Sequence, residues 1–197
     1  MIAYQTEKIN NAICFFAKMH RKKTKQYLYQ TFLYKYLAFL EYNILEKTGQ
    51  PVLGLTFKAF KKGPVPIELY ENRSKLNTDL FKFVDVGENQ YKIIAKKDSN
   101  LDYFSNDEIE EMNQLIETYA KSYIKSNLIS EASHERIKAW IETWEKSPNA
   151  IMDNSLTFDK NLYKKKENEL TVAEENYITY RALANKLNEN RNSHKME

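Results

Sequence analysis

The chain has 197 residues, of which 42% are apolar and 29% charged, with one cysteine and a formal net charge of +3. This length holds one domain, or one domain plus an appendage, and is enough to bury a real core. The weak charge neither demands nor excludes nucleic acid, one cysteine excludes an internal disulfide, and no uncharged apolar run approaches the roughly 18 residues of a membrane span.

Met1 to Lys8 lacks the apolar core of a signal peptide, so a soluble, cytoplasmic protein is expected. Glycine and proline number only four each, and few breakers among many charges favour a mainly helical chain. Thr6 is placed to cap a first helix running to about His20, with Ile9, Ile13, Phe16 and Ala17 as its apolar stripe. Cys14, between Ile13 and Phe15, reads as an ordinary buried thiol. His20 to Lys25 reads as a polar, basic connector.

The strongest helical pattern runs from Gln26 to Thr48. Tyr29, Phe32, Leu33, Tyr36, Leu37, Leu40 and Ile44 recur at three-and-four spacing, and Leu28 and Phe39 add apolar surface elsewhere on the helix. Such a helix is expected at the centre of its fold, and Gly49 with Pro51 stops it. Val52 to Phe60 alternates as a short strand would, with Leu53, Leu55, Phe57 and Ala59 on one side.

Phe57 to Tyr70 organises the middle of the chain. Gly63 can take positive φ, Pro64 keeps Gly63 out of the helical region, and Pro66 suits the first turn of a helix. Glu68 is favourably placed near that helix's N-terminus, and Leu69 and Tyr70 are its anchors. The stretch reads as a strand end, a rigid corner and a short helix ending near Arg73, with no catalytic group.

Leu80–Val86 and Gln90–Ala95 flank Gly87-Glu88-Asn89 as a hairpin, and the three strands together suggest one small antiparallel sheet packed on helices. Ser105 to Glu108 is a capping box opening a helix striped by Ile109, Met112, Ile116, Tyr119 and Tyr123, a unit that Leu128 ends. Ser130 or Ser133 then caps a helix bearing Ile137, Trp140, Ile141 and Trp144, ended by Pro148. The pattern weakens over 149–169, read as a linker. Thr171 to Glu174 is a second capping box, starting a helix with Ala173, Tyr177, Tyr180, Ala184 and Leu187 before a polar, frayed tail from Asn188. The expected fold is therefore α+β, mainly α: residues 1–150 as one domain, and 151–197 as linker plus C-terminal helical extension.

No catalytic constellation stands out. His134-Glu135 opens like a zinc-protease helix, but position 138 is Lys138 rather than a second histidine. His20 and His194 lie in flanking polar segments, Cys14 has no partner for a metal site, and no phosphate loop or nucleophile elbow is present. The acidic run Asp107-Glu108-Glu110-Glu111 complements a helix dipole. The chain is accordingly read as a non-enzyme with no cofactor and no metal. The basic clusters Arg21-Lys22-Lys23-Lys25, Lys61-Lys62, Lys96-Lys97 and Lys164-Lys165-Lys166 would bind phosphates if they met in space; solvated lysines are the simpler reading.

Three separated pieces carry a resemblance: Phe32-Leu33-Tyr34-Lys35-Tyr36-Leu37, then Ala59 to Tyr70 with its Gly63-Pro64-Val65 corner, then Leu128 to Glu135 followed by Trp140. In this order they resemble the Panacea domain, also called SocA-like or phage-associated (GepA-like). Ser133 stands where that family usually has threonine. The resemblance covers roughly residues 5 to 150 and implies an antitoxin that neutralises a cognate toxin, encoded nearby, by direct protein contact. Members of the SocA branch look instead like adaptors that deliver a bound toxin to a cytoplasmic protease; a nucleic-acid-binding phage-associated protein is the other alternative. The motif and partner-binding positions are Gly63, Pro64, Val65, Leu69, Tyr70, Arg73, His134 and Trp140. Gly63 and Pro64 would build the corner, Trp140 would pack, and His134 would hydrogen-bond across the core. Exposed Tyr70 and Arg73 are expected as interface anchors, with Thr171–Leu187 as a second docking surface.

Overall fold

Thirteen of the nineteen residues in the helix Gln30–Thr48 are buried, and the chain is wrapped around it. The computed structural model describes residues 2–193. In chain order the elements are α1 (Gln5–Thr24), β1 (Leu28–Tyr29), α2 (Gln30–Thr48), β2 (Phe57–Phe60), β3 (Gly63–Pro66), α3 (Ile67–Asn72), β4 (Phe81–Asp85), β5 (Tyr91–Ala95), α4 (Asn106–Tyr119), α5 (Ser126–Arg136), α6 (Lys138–Lys146) and α7 (Val172–Ser193). The fold is mainly α with a small antiparallel β part, as the sequence implied.

Helix α2 is central because it is apolar nearly all round. Leu33, Tyr36, Leu37 and Leu40 have no solvent exposure, each such side chain contributing about 1.5–3 kcal/mol on burial. Aromatic stacks tie it to its neighbours: Phe16 of α1 on Tyr36 at 4.7 Å, and Phe39 on Tyr119 of α4 at 5.3 Å.

Several boundaries differ from the sequence reading. Helix α1 continues through the basic run to Thr24, and Thr6 lies inside it rather than capping it. Arg21, Lys22 and Lys23 fall in its last turn, where the dipole favours cations, and Lys25 closes it at φ 63. His20 is therefore a core residue. Its Nδ1 lies 3.1 Å from the Tyr36 hydroxyl, and burial lowers its pKa to about 4. Leu28 and Tyr29 do not join α2. They form β1 and pair with Ile93 and Lys92 of β5.

The strands make two sheets, not one: β1-β5-β4 and β2-β3. The β4–β5 hairpin is the expected one, with Phe83 opposite Ile93. The strand expected from Val52 is confined to Phe57–Phe60. Val52, Leu53 and Leu55 are buried, but in a loop held by a side chain: Leu53 N–H and Gly54 N–H donate to the Glu41 carboxylate at 2.7 and 3.0 Å. After β2 the chain reverses at Lys61-Lys62 and returns as β3, pairing Phe60 with Gly63 and Phe57 with Pro66. The corner is thus a tight hairpin, and Pro64 and Pro66 are tolerated because β3 is an edge strand. Pro66 is the N-cap of α3, and Arg73 closes that helix.

The Ser105 capping box forms as expected: Ser105 N–H donates to Glu108 Oε2, and Glu108 N–H to Ser105 Oγ. Helix α4 ends at Tyr119, leaving Tyr123 exposed. Ser130 and Ser133 do not cap a helix; they sit inside α5, donating back to the carbonyls of Ser126 and Ser130. Buried Ile137 breaks the chain between α5 and α6.

Residues 149–169 are not periodic, yet they are anchored. Ala59 N–H donates to Ala150 O, and Met152 N–H to Phe57 O, so the segment lines the free edge of β2. Short 3-10 turns come next, and Met152, Phe158 and Leu162 are buried. The second capping box forms between Thr171 and Glu174. Helix α7 then runs to Ser193, beyond the expected end at Leu187. Its Tyr177 is fully buried against Phe158. Gly49 ends α2 at φ +78 and also admits α7, since a Cβ there would lie 2.0 Å from Ala173 O. His194 lies outside the described residues. Among the described residues, no helix is long and apolar enough to cross a membrane.

Candidate partner-binding site

Lys35 sits in the middle of α2 with no solvent exposure. Its Nζ donates to the carbonyl oxygen of Pro64 at 2.9 Å, and burial lowers its pKa to about 7. The hairpin can approach this closely because residue 63 is glycine. Gly63 takes φ +92, and a Cβ there would stand 2.5 Å from Ser133 Oγ and 2.7 Å from Lys35 Cε. Helix α2, the hairpin corner and α5 therefore meet at one point.

The other flank of the corner is aromatic. Trp140 Nε1 donates to Phe60 O at 3.1 Å. The His134 ring stacks on Trp140 at 4.0 Å between centroids, and Trp140 stacks on Trp144 at 5.5 Å. His134 was expected to hydrogen-bond across the core; its Nε2 is buried without a partner, and the ring is held by stacking instead. Burial lowers the His134 pKa, and the nearby Lys35 charge adds to this while Glu131 opposes it. Ser133 beside it is committed to Ser130 O at 2.6 Å, so the two form no nucleophile–base pair.

Tyr70 and Arg73 lie beyond Phe60. The Tyr70 ring meets Phe60 edge-on at 6.0 Å, and the Arg73 guanidinium lies over Tyr70 at 4.1 Å while donating to the Tyr70 carbonyl. Both residues are half-buried rather than exposed. Tyr34 sits near them with a buried, unpartnered hydroxyl whose pKa is raised by burial. Val65 and Leu69 are core residues. Sequence reasoning missed Lys35 as the polar centre of this arrangement. The signal was there: a lysine between Tyr34 and Tyr36 in the most apolar helix of the chain.

Residues 33–141 match the family model described as antitoxin SocA-like, Panacea domain. The chain belongs to this family. Its role is that of an antitoxin in general terms, with a toxin as the general kind of partner. No curated protein and no solved structure matches the chain. The matched span contains every residue of the convergence at the corner, from Lys35 to Trp140; helix α7 lies outside it.

Two of the four basic clusters share a cleft, and a third borders a groove of its own. Arg21 and Lys22 border one cleft with Lys18, Lys96 and Lys97. Lys61 and Lys62 border a second groove with Lys121 and Lys125. Lys165, outside the domain, is paired with Glu174. Among the described residues, no group of three or more histidines, cysteines or carboxylates is placed to hold a metal ion.

Proposed function

We propose that the protein neutralises its toxin by direct, non-enzymatic contact in the cytoplasm, covering a surface of standard size, about 1,600 Å² in total. One observation carries this reading beyond family membership. The polar groups of the family motif are turned inward, Lys35 to Pro64, Ser133 to Ser130 and Trp140 to Phe60. They hold a rigid corner, and what the domain offers a partner is the shape and charge around that corner.

Tyr70 and Arg73 are the anchors of the interface. They are already packed on each other, so little side-chain entropy is lost when a partner covers them. The extension adds a second surface: Leu183 and Leu187, one turn apart on α7, are exposed.

The test is a rescue assay. The neighbouring open reading frame is expressed in a bacterial host alone and with this protein, and growth is scored. Toxicity relieved by co-expression, with the two proteins co-purifying, supports the reading. Relief without a stable complex points to the adaptor mechanism, in which a protease removes the toxin. A neighbour whose toxicity is not relieved overturns the reading.

A further inference from the structure

Lys61 and Lys62 at the β2–β3 turn and Lys121 and Lys125 before α5 come from distant parts of the chain to border one groove of about 940 Å³. All four are exposed, and among the described residues none of them forms an ion pair. In the other basic cleft Lys18 and Lys97 are paired with Asp98 and Asp79, while Arg21, Lys22 and Lys96 are in no ion pair among the described residues. The groove's own acidic groups are Glu88 and Glu131, fewer than its lysines. The groove therefore keeps a net positive charge.

The N-terminus of α5 opens onto the same groove through Ser126 and Asn127. Helices α4 and α7 close their first turns with capping boxes, whereas α5 has no side-chain cap and no acidic residue in its first turn. Its free N–H groups and positive dipole end reinforce the lysines. Deeper in, Gln30 Oε1 and His134 Nε2 are buried polar atoms without partners, beside the apolar surface of Phe32 and Tyr27.

We propose that this groove receives an acidic segment of the partner protein, its carboxylates meeting Lys61, Lys62, Lys121, Lys125 and the start of α5. A protein segment fits better than nucleic acid. The four lysines border a single groove whose lining includes Phe32 and Tyr27, apolar surface that a sugar-phosphate backbone would not use. The inference rests on the toxin-binding reading above.

The experiment uses the full chain and two charge-reversed pairs, Lys61→Glu with Lys62→Glu and Lys121→Glu with Lys125→Glu. Lys96→Glu with Lys97→Glu serves as the control pair from the other cleft. Thermal melting checks that each is folded. The direct probe is a fluorescein-labelled deca-glutamate peptide at about 50 mM salt, where exposed charges are weakly screened. Each groove pair is expected to weaken binding about tenfold or more, and the control pair to change it less than about twofold. Equal losses from all three pairs, no binding by the natural chain, or tighter binding of a short DNA duplex than of the peptide overturns the groove. The rescue assay with the same variants separates the two ideas. Protection that survives both groove pairs overturns the groove and keeps the antitoxin reading. Groove-dependent peptide binding by a chain that protects against no toxin overturns the antitoxin reading alone.

Discussion

Ser133 Oγ stands 2.5 Å from the point where a Cβ on Gly63 would be. A methyl group there meets the hydroxyl on one side and the Lys35 stem, 2.7 Å away, on the other, on a backbone at φ +92 that side chains disfavour. Gly63→Ala should therefore destabilise the fold by about 2–3 kcal/mol, read as a lowered urea midpoint. Adding Ser133→Ala should recover part of that loss, because the nearer obstacle is gone. Additive losses in the double-mutant cycle would show that the two residues are not coupled.

Stability should have a minimum near neutral pH that traces to two buried groups on α2. The Lys35 amine has its pKa lowered from 10.5 to about 7, so the unfolded chain binds more protons between those values. Its contribution is present above pH 10.5 and lost as pH falls toward 7. Glu41 has its pKa raised by burial from 4.5 to about 7, against the pull of the Leu53 and Gly54 N–H groups, so its contribution is present below pH 4.5 and lost as pH rises toward 7. Each limb has a slope of at most about 1.4 kcal/mol per pH unit. Denaturant titrations of the natural chain and Lys35→Met should differ in slope on the alkaline side, and Glu41→Gln should flatten the acid side. Parallel pH profiles for the three proteins would defeat this account.

The His134 ring stacks on Trp140 at 4.0 Å between centroids. His134→Ala should lower stability by about 0.5–1.5 kcal/mol and change the tryptophan fluorescence, while protection against the toxin persists where the variant is folded. Loss of protection in a fully folded variant would bring back a chemical role for the imidazole.

The central helix, the β4–β5 hairpin and both capping boxes were legible because each is a local rule: an apolar period, a turn, or a residue pair three apart. The misread parts depend on distant partners. Nothing near Leu28 says that it pairs with Ile93, so β1 was absorbed into a helix. Val52, Leu53 and Leu55 are apolar because they are buried, yet the N–H groups of this loop, at Leu53 and Gly54, go to Glu41 rather than to a neighbouring strand, which alternation alone does not reveal. The basic residues of the last turn of α1 looked like a connector because lysine is common in loops and at helix C-termini alike. At the candidate site, Gly63, Pro64 and Trp140 were named from the sequence. Lys35, which lies against Gly63 and Pro64, has a chemical meaning only once its burial is known.

Gly49 tests whether the extension shares in the function. Its missing side chain lets Ala173 O and Tyr177 N–H pass, and Asn176 Nδ2 donates to Thr48 O at the end of α2. Gly49→Ala should loosen α7 from α2, because both the left-handed backbone and the contact geometry oppose a Cβ. Hydrogen exchange should then speed up over residues 172–181 more than in α4, which does not cross this glycine. Deleting the residues after Glu169 would go further, uncovering Phe158 where Tyr177 now packs. If Leu183 and Leu187 contact the toxin, both changes weaken protection. Protection unchanged in a folded Gly49→Ala variant with a mobile α7 would confine α7 to a structural role and leave toxin binding to the corner and the groove.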